Sequence, residues 1–143
     1  MADRFSTTQR VRFGDLDALQ HMNNVEFLRF FETARIEYIE TLIPDHSPGQ
    51  REQFGFIFAE CHINYRAPGM YHDDIRTYVW PTELKRSSIK LAFEMVVDAR
   101  SETVAEGWGT LVGYDYIAGR AQAIPEKWRT QVEAELQAPA QGR

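Results

Sequence analysis

The stretch from Phe13 to Arg35, FGDLDALQHMNNVEFLRFFETAR, constrains the fold more than any other part of this 143-residue chain. It joins a short polar loop to the most apolar long segment of the sequence. The spacing of the apolar residues in that segment predicts a helix from about Asn24 to Leu42. Glu26 falls in the first turn, where its charge suits the helix dipole. The helix should stop before Pro44, because a residue ahead of proline avoids helical angles.

The loop brings together side chains that can do chemistry: Asp15, Asp17, His21, Asn23 and Asn24. The first N–H groups of a helix are unpaired and carry partial positive charge, so the helix start can hold an oxyanion. A carboxylate beside such a helix start is the pairing that acyl transfer needs. The residues alone leave a second interpretation open, in which the aspartates anchor and turn the loop and the asparagines cap the helix.

Projected at about 100° per residue, the predicted helix has one polar stripe and is apolar over most of its remaining circumference. The stripe consists of Glu26, Arg29, Thr33, Glu37 and Glu40. We therefore expect other structure to cover most of the helix, including Val25 and Leu28. Arg35 lies opposite the stripe, so a pair with Glu32, within the helix or across subunits, would keep its charge satisfied.

From Phe54 onward the pattern changes from helical to alternating, which is typical of strands. A weaker strand precedes the loop at residues 5–13, and four more are predicted at 54–65, 72–81, 89–97 and 103–116. In the first of these four we expect Ile57 and Cys61 on one face and Glu60 and His62 on the other. Glycines at positions 107, 109 and 113 clear one face of the last strand for the helix or for a ligand.

This order of elements predicts an α+β fold in which a curved antiparallel sheet wraps round one long central helix. A polar loop is expected at Pro44–Gln53, and a short second helix from Pro125 to Leu136. Residues 1–136 should therefore form a single domain, and residues 137–143 a disordered tail.

Charge and composition exclude several classes of protein. The net charge is −5 and no run of Lys or Arg occurs, which weighs against nucleic acid or an anionic membrane as the main partner. Cys61 is the only cysteine, so an internal disulfide and a thiolate metal cluster are excluded. No segment approaches the roughly 18 apolar residues of a membrane span, and the first residues lack the apolar core of a signal peptide. We expect a cytoplasmic protein.

Two motifs carry a resemblance to a known family. Residues 15–24 read DLDALQHMNN, which is similar to the D-x-D-x-x-x-H-x-N-N loop of the hotdog-fold acyl-CoA thioesterases of the 4-hydroxybenzoyl-CoA thioesterase-like family. Tyr65–Gly69 followed by Asp73 and Asp74 is similar to the family's Y-x-x-P turn with an acid shortly after it. The resemblance covers nearly the whole chain and implies a single hotdog domain that hydrolyses an acyl-CoA thioester without cofactor or metal.

The resemblance also implies roles for individual residues. Asp17 would be the nucleophile or the general base, the amide at Asn24 the oxyanion donor, and His21 a base or an orienting group. Leu19 departs from the plant acyl-carrier-protein thioesterases, which have an Asn there. Substrate would be bound at the helix start by Asn23 and Val25. The phosphates of CoA would be bound by basic side chains, for which the candidates are Arg66, Lys85, Arg86, Lys90 and Arg120. Edge-to-edge pairing of hotdog subunits implies a homodimer or homotetramer.

Two other functions fit the same residues. The chain could bind acyl-CoA without hydrolysing it, as a sensor or scaffold. It could also be a hotdog dehydratase or hydratase that uses Glu60 and His62 as an acid–base pair, unless these two are polar surface or interface residues. Cys61 should point to the apolar face as a buried filler rather than act as a nucleophile.

Overall fold

The computed structural model describes residues 4–42 and 55–137. The helices and strands are β1 (Phe5–Arg10), α1 (Asn24–Leu42), β2 (Gly55–Tyr65), β3 (Asp74–Leu84), β4 (Ser88–Val97), β5 (Glu102–Asp115), β6 (Arg120–Ala121) and α2 (Glu126–Gln137). Helix α1 has the predicted limits, and four long strands follow it in the predicted order. The predicted loop at Pro44–Gln53 lies outside the described residues. Of the predicted tail, residues 137–143, only Gln137 is described, and it is the last residue of α2 rather than part of a tail. Neither of the two described helices is long and apolar enough to span a membrane.

All strands belong to one antiparallel sheet with the order β1-β3-β4-β5-β2, and β6 pairs with the end of β5. Helix α1 packs against one face of this curled sheet. Ile89, Leu91 and Met95 of β4 are fully buried, as the alternation of that strand predicts. Phe31 of α1 stacks on Phe93 of β4 with ring centroids 4.2 Å apart, and both rings lie in the core. The predicted α+β hotdog architecture is confirmed.

The glycines of β5 make room for the helix and for β2. A Cβ built on Gly109 would lie 2.6 Å from the Phe58 ring and 2.9 Å from the Phe31 ring. A Cβ on Gly107 would collide with the backbone carbonyl of His62 in the neighbouring strand. The close packing that the glycine pattern predicts is therefore between elements of the protein itself.

The predicted faces of β2 are wrong at the start of the strand. A bulge between Phe58 and Glu60 shifts the register against β5. Because side chains alternate with a period of two, one extra residue moves everything before it to the other face. Phe58 therefore packs on Phe31, while Ile57 shares the outer face, the one away from α1, with Glu60 and His62.

Pro81 does not end β3, contrary to the prediction. The strand continues to Leu84 with a bulge between Pro81 and Glu83. Among the described residues, pairing with β1 stops at Val79 and Pro81 has a neighbouring strand on one side only, where a residue without an N–H is tolerated. Strand β1 is also shorter than predicted, because the chain leaves the sheet after Arg10 and enters a short 3-10 turn.

The expectation that α1 is covered on most sides is wrong on one side of the helix. Val25, Leu28 and Ile36 are 51%, 39% and 37% exposed. On the helix they lie beside the face that contacts Phe58 of β2 through Phe31 and Arg35, and one edge of β2 pairs with no other strand in the described residues. The opposite side of α1 faces β1, where Gln9 donates a hydrogen bond to the Phe30 carbonyl (3.1 Å). The uncovered apolar side chains thus line an open edge of the sheet.

Candidate active site

The segment between β1 and α1 folds into a small hairpin that carries the predicted catalytic residues. Leu16 and Met22 form an antiparallel bridge, and one step further the Asp17 N–H donates to the His21 carbonyl (2.9 Å). Gln20 turns the chain with a φ of 64°, in the left-handed region that few side chains adopt. The hairpin holds Asp17 opposite His21, directly ahead of the helix.

Asp15 anchors the base of this hairpin. Its side chain is 3% exposed, and Oδ2 accepts a hydrogen bond from the Arg12 N–H (2.8 Å), while the Arg12 guanidinium donates to Oδ1 (3.0 Å). The Asp15 carbonyl accepts the Asn23 N–H (2.8 Å). Burial alone would raise the pKa of Asp15, but the hydrogen bonds from Arg12 outweigh it and hold the pKa below its usual value. The Asp15 carboxylate is therefore occupied by hydrogen bonds within the loop and is not available to bind substrate.

The turn that follows β2 supports the hairpin from one side. The Gly69 carbonyl accepts the Met22 N–H (2.7 Å). Asp73 holds this turn, because its carboxylate accepts the Met70 N–H (2.8 Å) and two hydrogen bonds from Arg100. Burial alone would raise the pKa of Asp73, but the hydrogen bonds from Arg100 and Met70 outweigh it and lower the pKa. The sequence motif shows an acid at this position, and the structure gives its contacts.

The backbone N–H groups at the start of α1 differ in their hydrogen bonds. Asn23 is the N-cap: its Oδ1 accepts the Val25 N–H (3.1 Å) and its carbonyl accepts the Glu26 N–H (2.8 Å). None of the hydrogen bonds among the described residues uses the Asn24 N–H, the first of the helix. Of the two candidate oxyanion donors, Val25 is occupied by the cap and Asn24 is free.

Tyr65, at the end of β2, contacts the same helix start. The sequence identifies Tyr65 only as part of the turn motif and does not predict this contact. Its hydroxyl donates to the Asn24 carbonyl (3.2 Å), and its ring packs edge-on against Phe27 with centroids 5.4 Å apart. The residue remains 48% exposed. Tyr65 thus fixes the residue whose N–H is free and forms one wall beside it.

The side chains of Asp17 and His21 are exposed in the single protomer. Asp17 Oδ1 accepts the N–H of Leu19 (2.9 Å), so the backbone of Leu19 orients the carboxylate without the Asn side chain of the plant enzymes. The His21 imidazole makes no hydrogen bond to a described residue. Phe13 and Leu19 are 76% and 77% exposed, so the loop presents its carboxylate on an open apolar surface.

The structure separates Lys85, Arg86 and Lys90 from this loop, but not Arg66. Arg66 follows Tyr65 and pairs with Glu106. Lys85 and Lys90 both approach Glu83, at 3.7 Å and 3.5 Å, at the other end of the sheet. Tyr65 pairs with Ala105 of β5, and Lys90 pairs with Thr110 of the same strand. Ala105 and Thr110 are about 17 Å apart at the usual rise of a strand. Arg86 lies beside Lys85 in the β3–β4 turn, which Arg129 of α2 fixes by donating to both carbonyls. One protomer therefore does not bring Lys85, Arg86 and Lys90 to its own Asp17.

The outer face of the sheet holds the residues of the dehydratase alternative. Glu60 accepts a hydrogen bond from Thr110 (3.0 Å), and His62 stacks on Trp108. A groove of about 490 Å³ on this face is lined by His62, Trp108, Trp80, Glu94, Glu106, Arg4 and neighbouring backbone. Glu60 and His62 each have their own partner, and neither faces α1.

Cys61 faces the helix, as predicted, and is half-buried. Burial raises the pKa of its thiol, against the opposing effect of the Arg35 guanidinium, and this favours the protonated thiol over the thiolate. In the ranges 4–42 and 55–137, no group of three or more His, Cys, Asp or Glu side chains could hold a metal ion.

Comparison with known proteins assigns the chain to a family. Residues 11–132 match the Thioesterase-like superfamily. The chain is 27% identical to the long-chain acyl-CoA thioesterase FadM of Escherichia coli (strain K12) over 127 residues, which cover 89% of this chain and 96% of FadM.

Solved structures share the fold. A thioesterase from Thermus thermophilus in complex with coenzyme A and Zn is 31% identical, with a TM-score of 0.80 and coverage of 94% of this chain and 96% of that one. A Staphylococcus aureus protein in complex with CoA has a TM-score of 0.87 at 16% identity and covers 100% of this chain and 92% of its own. The family match and the fold confirm the resemblance seen in the loop motif and the enzyme class that it implies, a thioester hydrolase. The chain belongs to the thioesterase-like superfamily.

Proposed function

We propose that this protein hydrolyses an acyl-CoA thioester to a free acid and CoA, at the start of α1. The observation that carries the proposal is the free Asn24 N–H at a capped helix start, directly after a hairpin that holds the Asp17 carboxylate. The matched Escherichia coli relative is named for long-chain acyl-CoA, and two solved structures of the same fold hold CoA. These names support CoA as the carrier.

In the proposed reaction the thioester carbonyl oxygen accepts a hydrogen bond from Asn24 N–H. Asp17 attacks the carbonyl carbon, or takes a proton from a water that attacks it, and negative charge develops on the oxygen. The N–H and the positive end of the helix stabilise that charge. The C–S bond then breaks and the CoA thiolate leaves. It takes up the proton that Asp17 removed from water if Asp17 is the base, and a proton from solvent if Asp17 is the nucleophile. If Asp17 is the nucleophile, water hydrolyses the resulting anhydride.

We further propose that the working unit is a homodimer, or a tetramer built from it, joined at the open edges of β2. A long unpaired strand with exposed apolar neighbours is a ready template for a second chain. An antiparallel joint of two β2 strands about a two-fold axis reverses one subunit relative to the other. The partner's Lys85, Arg86 and Lys90 would then lie at the same end of the joined sheet as Asp17, where they can meet CoA phosphates.

The proposal is tested by mixing the protein with short, long and aromatic acyl-CoAs and with an enoyl-CoA, and by following thiol release and loss of the enoyl double bond separately. We expect thiol release from at least one acyl-CoA, with the enoyl bond intact. The panel also identifies the acyl group. We propose a cytoplasmic location as well, consistent with one unpaired cysteine.

Two other results would contradict the proposal. Binding of acyl-CoA without thiol release from any member of the panel would indicate a binding module. Addition of water to the enoyl-CoA with the thioester intact would indicate a hydratase.

A further inference from the structure

The loop that carries Asp17 is attached at both of its ends to the turn between β2 and β3. At the entry of the loop, the Val11 N–H donates a hydrogen bond to the Asp73 carbonyl (2.8 Å). At its exit, the Met22 N–H donates to the Gly69 carbonyl (2.7 Å). The side chains of Val11 and Met22 are both buried in the core. Asp17 lies between the two attachments, so the position of its carboxylate follows that of the turn.

Arg100 holds this turn from a different part of the chain. It is the last residue of a short 3-10 turn, Asp98–Arg100, between β4 and β5. Its guanidinium donates two hydrogen bonds to the Asp73 carboxylate (2.7 and 2.9 Å) and one to the Pro68 carbonyl (3.2 Å). The Asp73 carboxylate also accepts the Met70 N–H (2.8 Å). One side chain therefore fixes the turn at its start and, through Asp73, at its end.

The contacts of Arg100 define its orientation closely. Its two terminal nitrogens each donate to a different oxygen of Asp73, a planar bidentate arrangement that lysine cannot form. The Asp73 side chain is only 12% exposed, so solvent screens this pair less than a surface pair. The Arg100 Nε donates to Glu102 of β5 (2.7 Å), which holds the guanidinium from a second side. The backbone after Arg100 is fixed too, because Ser101 has a φ of 49° and its N–H donates to the Asp98 carbonyl (3.1 Å).

We propose that Arg100 is a positioning residue for the Asp17 carboxylate. Through Asp73 and the turn, it sets where that carboxylate lies relative to the Asn24 N–H. The inference rests on the proposed hydrolase function. Attack on a thioester needs the reacting atoms about 3–3.5 Å apart and in line, so a small displacement of the loop lowers the rate steeply. The bond between Asp73 and Arg100 should therefore matter for the chemical step, although Arg100 lies outside the loop.

Variants of Arg100 test this role through kcat and KM. In Arg100→Met the bidentate pair is lost, and we expect kcat for thioester hydrolysis to fall about 10- to 100-fold with KM within about twofold of the parent. Arg100→Lys restores the charge and one hydrogen bond, so it should recover part of the loss. Glu102→Gln is the matched control, because it weakens an ion pair of the same guanidinium that leads into β5 rather than to the turn. Equal kcat values for Arg100→Met and Glu102→Gln would overturn the proposal.

A double variant separates positioning from a general loss of stability. Asp73→Asn weakens the same contact from the other side and keeps an oxygen for the Met70 N–H, so it also serves if Arg100→Met does not fold. All variants are assayed where circular dichroism shows them fully folded. If Arg100 acts through Asp73, the double variant Arg100→Met/Asp73→Asn should lose about as much kcat as the more impaired single variant. Losses that multiply would show two independent effects and contradict the proposal.

Amide hydrogen exchange tests the hold on the loop without any substrate. Arg100→Met should raise the exchange rates of the Met22 N–H and the Asp17 N–H at least about fivefold over those in Glu102→Gln. A parent that releases no thiol would remove the proposed function, and faster exchange in Arg100→Met would then still support the hold of Arg100 on the loop. An active parent, with Arg100→Met equal to the control in both kcat and exchange, would remove the inference and leave the function.

Discussion

At the scale of single residues, the two asparagines at the start of α1 have different tasks. The sequence predicts that capping and anion binding compete for the same N–H groups. The structure resolves the competition, because the side chain of Asn23 takes the Val25 N–H and the Asn24 N–H stays free. Sequence could not decide this, since either Asn can serve as an N-cap and the choice depends on the angles of the residue before the helix.

Tyr65→Phe tests whether this helix start is held in place for catalysis. The ring stays against Phe27, but the hydrogen bond to the Asn24 carbonyl is lost. We expect kcat for thioester hydrolysis to fall roughly three- to tenfold with KM nearly unchanged, the cost of one hydrogen bond felt in the transition state. Tyr116→Phe is the matched control, because that hydroxyl also donates to a backbone carbonyl, of Phe56, and lies at the other end of β2. Equal kcat values for the two variants would remove the positioning role.

Asp15 makes the loop sensitive to acid. Its pKa in the folded protein is lowered, so its contribution to stability is present above the ordinary pKa of about 3.9 and is lost as the pH falls through the lower folded value. Asp15→Asn should lower the free energy of unfolding at pH 7 by roughly 1–3 kcal/mol, because hydrogen bonds from Arg12 are weakened, and should flatten the loss of stability below pH 4. Denaturant unfolding at several pH values measures both effects. Asp74→Asn is the control, because it disrupts an exposed pair with Arg10 and should change the free energy of unfolding little. If Asp15→Asn were as stable as this control, the anchoring role of Asp15 would be contradicted.

At the scale of helices and strands, the sequence predicted every long element, and its errors are local. The faces of β2 were wrong because a bulge shifts a register that period-two alternation assumes constant. The end of β3 was wrong because Pro81 lies beyond the part of β3 that pairs with β1 in the described residues, where a residue without an N–H is tolerated. The limits of α1 were predicted correctly because the sequence places capping residues before the helix and a proline after it. The loop and the turn after β2 were found as motifs, but the contact between Met22 and Gly69 joins residues far apart in sequence.

The glycine face of β5 gives a prediction at this scale. Gly109→Ala should lower the free energy of unfolding by about 1–3 kcal/mol, because the added methyl group overlaps the Phe58 and Phe31 rings in a packed core. Thermal or denaturant unfolding provides the measurement. Gly14→Ala is the control, since a Cβ there meets nothing within 4 Å. Were Gly109→Ala as stable as Gly14→Ala, the close packing of α1 on β5 would be refuted.

At the scale of the whole molecule, one protomer carries only part of the proposed site. The loop that carries Asp17 is exposed, Lys85, Arg86 and Lys90 lie at the other end of the sheet, and the outer edge of β2 is open in the described residues. An antiparallel dimer would bring these parts together. A single sequence predicts the subunit well, because its patterns record burial within the chain. Val25 and Leu28 are predicted to be covered but are exposed in the single protomer, and the proposed dimer would account for this difference.

The central claim is that Asp17 performs thioester hydrolysis at the start of α1. The most direct test compares thiol release by the parent and by Asp17→Asn, with the acyl-CoA that the parent turns over best. We expect kcat to fall by about 10² to 10⁴-fold, the usual contribution of a catalytic acid or base, while unfolding and binding of the acyl-CoA are unchanged. Thiol release by Asp17→Asn at the parental rate, in a folded protein that binds the same substrate, would contradict the account.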